Sequence, residues 1–223
     1  AGSAEADFVE ALALFRRAGS LPGESAALCN LARLHGRIGR LDAAVDGFRR
    51  ALAIEERRGM TSDLGICHGN LGGAYWRAGR LVEALTHLRT GLEIHQRTGH
   101  RLAEANTHMY LARTHHDAGR DDEATAAADL ALTVARELRD PVVEVDTLNV
   151  LADSHDVQGR RQEAAAARTE GSRRSPPGEC CMCPSRTRAT ASEWPRPGTS
   201  RAGLTSSGWP CAAPAWAASR RST

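Results

Sequence analysis

Nine histidines and six cysteines are the side chains of this 223-residue chain best suited to ligation or nucleophilic chemistry. His35, His115 and His155 recur at multiples of 40 residues, and His68 and His108 also stand 40 apart. At that spacing they fall on successive structural units. Packed helices lie ~10 Å from neighbour to neighbour, too far for one ion to share. These rings are expected to replace aromatic side chains between helices. His115 and His116 are adjacent on a helix and point different ways. Cys180-Cys181-Met182-Cys183 is denser, but zinc sites normally add a second Cys or His pair elsewhere. Only Cys211 follows, with no histidine beside it. No metal and no cofactor is expected. The chain has no phosphate loop of the P-loop type and no Gly-x-Ser-x-Gly elbow. Glu83-Ala84 has an equivalent in the other units, so its carboxylate reads as a helix-start charge. The expectation is a protein that is not an enzyme.

The elements that must position these residues are legible in one stretch, Asn70-Leu-Gly-Gly-Ala-Tyr-Trp-Arg-Ala-Gly-Arg-Leu-Val-Glu-Ala-Leu85. It reads as a helix, a tight turn at Gly79 and the start of a second helix. Similar stretches begin at Asn30, Tyr110 and Val150, and the turn glycines Gly39, Gly79, Gly119 and Gly159 are each 40 apart. Self-similarity at such a period is the mark of a stacked solenoid. First helices (A) are expected at about 24–38, 63–78, 103–118 and 142–157. Second helices (B) are expected at about 41–58, 81–98, 121–138 and 161–170. Ala44, Ala84, Ala124 and Ala164 form a column of small residues, and Leu31, Leu71, Leu111 and Leu151 a column of leucines. One helix pair cannot bury such a face alone; stacking buries it. Residues 1–20 read as the second helix of a truncated repeat. Residues 21–170 read as three full repeats plus a fourth, incomplete one.

Composition narrows the class. All 29 basic residues are arginine, as a GC-rich bacterial genome would produce. Residues 171–223 hold eight Arg and two Glu; the rest carries 21 Arg against 25 acidic residues. The repeats therefore lack the basic stripe that tracks phosphates, and no nucleic-acid binding by them is expected. No apolar run nears the ~18 residues of a membrane span, and no secretory leader is visible. The first residue is Ala, which suggests a processed chain or a fragment. Cys29 and Cys67 read as small buried hydrophobes of a reducing cytosol, so a cytoplasmic location is expected.

The columns resemble the tetratricopeptide repeat. Leu71-Gly72, Tyr75, Ala84 and Ala51 fit its pattern, and Phe48 fits the aromatic position. The expected Trp is replaced by Leu28, His68, His108 or Leu148, and the tyrosine column reads His35, Tyr75, His115, His155. The usual period is ~34 residues. The longer repeat, the Asn-Leu-Gly opening and the Ala-Gly-Arg turn resemble a narrower group. These are the tetratricopeptide regions of large actinobacterial regulators, where an effector domain and a signalling ATPase module precede the repeats. The resemblance implies an all-α, right-handed solenoid of antiparallel helix pairs whose concave face, lined by A helices, takes a protein or peptide segment. That segment is either a partner's or intramolecular. Carried onto this chain, the family's groove positions are Asn30, Asn70, Arg33, Arg113, Trp76, His116, Arg37 and Arg77. Asn amides can pair with a peptide backbone, Arg can fork a carboxylate, and Trp76 offers a flat apolar anchor. Asp146, Asp153 and Asp156 change the sign of the fourth repeat, so the groove is expected to run from positive to negative. The alternative is a scaffold that forms homo-oligomers through uncapped solenoid ends near residues 150–165.

Residues 171–223 are different material. They hold seven of nine Pro, four of six Cys and three of four Trp, with no helical or strand period. A disordered tail and translation in a shifted frame both account for that composition.

Overall fold

The computed structural model describes residues 2–59 and 61–174. The Cys180–Cys183 cluster, Cys211 and the low-complexity residues beyond Arg174 lie outside the described residues. The described residues form nine helices: α1 (Gly2–Arg17), α2 (Leu21–Arg37), α3 (Leu41–Arg58), α4 (Thr61–Arg77), α5 (Leu81–Thr98), α6 (Arg101–Asp117), α7 (Asp121–Leu138), α8 (Pro141–Val157) and α9 (Arg161–Arg174). They contain no strand. The even-numbered helices are the A helices, and each packs against the B helix that follows it.

Local chemistry sets the boundaries. Gly39, Gly79, Gly119 and Gly159 adopt φ of 81°, 73°, 70° and 74°, a region that favours glycine. Past each of them the arginine N–H reaches back to the A helix. Arg40 donates to the His35 carbonyl, Arg80 to Tyr75 and Arg120 to His115, each at 2.9 Å. This is the long bond of a Schellman cap. The A helices start one to three residues earlier than expected. At α2, Ser20 Oγ accepts from the Gly23 N–H at 3.3 Å, and Pro22 sits in the first turn. At α8, Asp140 Oδ1 accepts from the Val142 and Val143 N–H groups at 3.0 Å. At α6, His100 Nδ1 accepts from the Ala103 N–H.

Ala44, Ala84, Ala124 and Ala164 are all buried, as are Leu28, Phe48, Leu71, Tyr75, Leu88 and Leu148. The leucine column is less uniform: Leu71 and Leu111 are buried, and Leu31 and Leu151 only partly so. Ion pairs staple one repeat to the next: Arg16 Nε meets Glu24 at 2.8 Å and Arg136 Nε meets Glu144 at 3.2 Å. The guanidinium of Arg80 lies 4.6 Å from the centre of the Tyr75 ring.

Helices α2, α4, α6 and α8 also touch one another in succession, whereas no two B helices touch among the described residues. The A side is therefore the inner side of the curve, and its helices line the groove.

The end at α9 departs from expectation. The helix runs through Gly171, which is buried, to Arg174. Positions that carry Val45, Phe48 and Leu52 in α3, all buried, carry Ala165, Arg168 and Ser172 in α9, all exposed. Arg168 folds back onto Asp156 at 2.5 Å and Asp153 at 3.4 Å. The expectation of a missing polar cap is thus corrected: α9 presents a polar outer face, because arginine and serine stand where the earlier repeats place large apolar side chains.

Candidate functional site

The candidate groove positions recur in repeat register on the A helices. Asn30, Asn70 and Tyr110 share one position; Arg33 and Arg113 stand three residues later. Trp76 and His116 share another, followed at once by Arg37, Arg77 and Asp117.

The densest part spans α4, α6 and α8. Trp76 Nε1 donates to Asp117 Oδ2 at 2.7 Å. The Trp76 ring meets Tyr110 with centroids 5.7 Å apart. The guanidinium of Arg113 lies over the Trp76 ring at 5.2 Å and pairs with Asp146 Oδ1 at 3.4 Å. Planar stacking and carboxylate pairing are what arginine does better than lysine. Desolvation pushes the Tyr110 hydroxyl up to about 12, so it stays protonated and remains a donor.

The other groove residues are placed less uniformly. Arg33 Nη2 donates to Asn30 Oδ1 at 2.9 Å within α2. Arg37 is exposed and makes no ion pair among the described residues. Arg77 is half-buried beside Tyr110, whose hydroxyl it draws downward. His116 Nδ1 lies 2.6 Å from Asp121 Oδ1 and 3.1 Å from Ser154 Oγ, which ties α6 to α7 and α8. Asn70 is buried and lines a cavity between α4 and α6 of about 30 Å³.

The family model described as tetratricopeptide repeat matches residues 2–57 and 65–137. The chain belongs to the tetratricopeptide-repeat family. Among solved structures it is similar to BtubC (BKLC) from P. vanneervenii, at 21% identity with a TM-score of 0.64, covering 91% of this chain and 82% of that one. It is also similar to nearly identical TPR-like repeats from Podosopora anserina, at 17% identity with a TM-score of 0.57, covering 75% and 92%. MamA follows at 14% identity with a TM-score of 0.51, covering 72% and 91%. At these identities the structures speak for the fold alone. No curated protein sequence matches the chain.

The histidines of this tetratricopeptide chain fall into several settings. His115 and His155 are buried, and their Nδ1 atoms have no partner among the described residues, while His35 Nε2 meets Glu5 at 3.1 Å. His68 and His87 face each other with Nδ1 atoms 3.0 Å apart, one neutral ring donating to the other. Burial holds His68 down to about 4, with His87 adding to the effect. Among the described residues no group of three His, Cys, Asp or Glu side chains could hold a metal ion, and no helix is long and apolar enough to cross a membrane. As a tetratricopeptide repeat, the fold is generally a non-enzymatic scaffold for protein–protein interaction.

Sequence reasoning missed Tyr110, Asp117, Asn106 and His95. Tyr110 and Asp117 stand 40 residues after Asn70 and Arg77, so the repeat register could have found them. His95 carried no such signal, because α3 has Glu55 at its position and α7 has Ala135.

Proposed function

We propose that this chain is the interaction module of a larger bacterial regulator, and that its groove holds an extended segment of a partner or of the same polypeptide. The observation that carries this is the continuous rail of Trp76, Tyr110, Arg113, Asp117 and Asp146 across three A helices. It offers aromatic surface beside fixed donors and acceptors, the mix that anchors peptides at interfaces. The regulatory role is supported by the resemblance in repeat length and turn sequence to the tetratricopeptide regions of actinobacterial regulators. Arg33, Arg113 and Asn30 already hold internal partners, so Arg37 is the guanidinium best placed to meet a ligand carboxylate. The test is to pan a phage-displayed random dodecapeptide library on the full chain and measure the selected peptides by calorimetry. Replacing Trp76, Arg37 and Arg77 together with alanine should weaken binding at least tenfold with helicity unchanged. Equal affinity for that variant would remove the groove from the reading.

The second reading is self-association, and the exposed Val9 and Leu14 of α1 favour it. Mass that rises with concentration and is abolished by Val9→Asp with Leu14→Asp would support it; mass insensitive to that pair would not.

A further inference from the structure

We infer that the cavity between α4 and α6 is a side-chain pocket that takes a serine or threonine of the segment bound in the groove. The inference rests on the groove reading and narrows it. The pocket is walled by Gly69 and Asn70 of α4 and by Asn106, Thr107 and Tyr110 of α6, with His95 of α5 beneath. It lies between consecutive A helices, and Tyr110 joins it to Trp76.

Its volume limits what enters. On the measure that gives this cavity about 30 Å³, one water needs about 10–15 Å³. Two or three heavy atoms fit, and a leucyl or aromatic side chain does not. Its chemistry limits the choice further. None of these six residues carries a full charge at neutral pH. Burial, with His100 adding to it, holds the His95 imidazole down to about 4, so the ring is neutral. An ammonium or carboxylate would lose water there without a counter-charge. Hydrogen-bonding capacity is nonetheless present. His95 is 1% exposed, and the ring nitrogen it turns toward Gly69 is Nε2, 3.7 Å from where a Cβ on that glycine would stand. Thr107 Oγ1 donates to the Ala103 carbonyl at 2.7 Å and keeps its acceptor side. Asn106 donates Nδ2 to the Leu102 carbonyl at 2.9 Å, which leaves its amide oxygen. A small hydroxyl answers all of these.

Gly69 supplies the independent argument. A Cβ added at Gly65 would lie 2.7 Å from Ile94, and one at Gly72 would lie 2.6 Å from Leu88, so packing demands glycine at both. A Cβ at Gly69 would meet only Thr107 Oγ1 at 3.5 Å and His95 Nε2 at 3.7 Å. These are ordinary contacts. Packing does not require glycine there, and glycine inside a helix is unfavourable. What its absent side chain provides is the room between His95 and Thr107.

Gly69→Ala therefore separates binding from folding. The variant should melt at the same temperature or higher. Its affinity for a library-selected peptide should fall at least tenfold, and by much less for the same peptide with its serine or threonine changed to alanine. Asn106→Leu, which blocks the pocket from the other wall, should repeat the pattern. Selected peptides without a fixed serine or threonine, or with unchanged affinity for Gly69→Ala, overturn the pocket. If Trp76→Ala still abolishes their binding, the groove stands without it; if Trp76→Ala has no effect either, both readings fall.

Discussion

At the scale of single residues, the groove is already partly neutralised from within. Arg113 was expected to wait for a ligand carboxylate; it holds Asp146 and stacks on Trp76 instead. A double-mutant cycle between Arg113→Ala and Trp76→Ala should return a coupling of about 0.5–1 kcal/mol, typical of a partly exposed cation–π contact. Additive effects would show that the stacking contributes nothing. The histidines set the pH response. His68 and His95 are each lowered from 6.5 to about 4, chiefly by burial. The unfolded chain takes up protons near pH 6.5, and the folded chain resists until about pH 4. Stability is thus fully present above that window and is lost as pH falls through it. For His95 the upper limit is about 3 kcal/mol, at about 1.4 kcal/mol per unit of pKa. Urea titrations at pH 7.5 and pH 5 should show the drop, and His95→Gln should reduce it. A flat profile would contradict the buried, neutral rings. None of this was legible from spacing. His68 meets His87 across 19 residues, a distance that belongs to neither the helical period nor the 40-residue register.

At the scale of the helix, register accounts for most of what the sequence revealed. Turn glycines placed the A-to-B junctions well, because αL backbone has a strong residue preference. The A helices start earlier than the hydrophobic periodicity predicts. The caps there are Ser20, His100 and Asp140, three residue types at one position, so no column advertises them. The B-to-A junction shows the reverse case. Gly19, Gly59 and Gly99 adopt positive φ, and the fourth member of the column, Arg139, does so at 55°. An L side chain there costs about 1 kcal/mol relative to glycine. Arg139→Gly is expected to raise the melting temperature by a few degrees, on a scale of about 2–4 °C per kcal/mol for a chain of this size. Gly79→Ala, at φ 73°, should lower it by a similar amount. Scanning calorimetry of the two variants decides both.

At the scale of the whole molecule, the polar face of α9 bears on solubility and assembly. Arg168→Leu with Ser172→Leu would restore to α9 the kind of surface that α3 buries against α4. Sedimentation equilibrium should then show mass rising with concentration; a monomeric double variant would mean that the outer face of α9 does not control association. The curvature of the array has one more consequence. The bonds from Trp76 to Asp117 and from Arg113 to Asp146 run along the inner edge, each joining an A helix to the next. They sit in series, like links of a chain laid inside a coil, so a change of pitch strains all of them together. The Arg113–Asp146 pair is only partly shielded from water and weakens with salt. Raising ionic strength should therefore lengthen the solenoid before it melts any helix, and small-angle scattering would register the extension while circular dichroism stays constant.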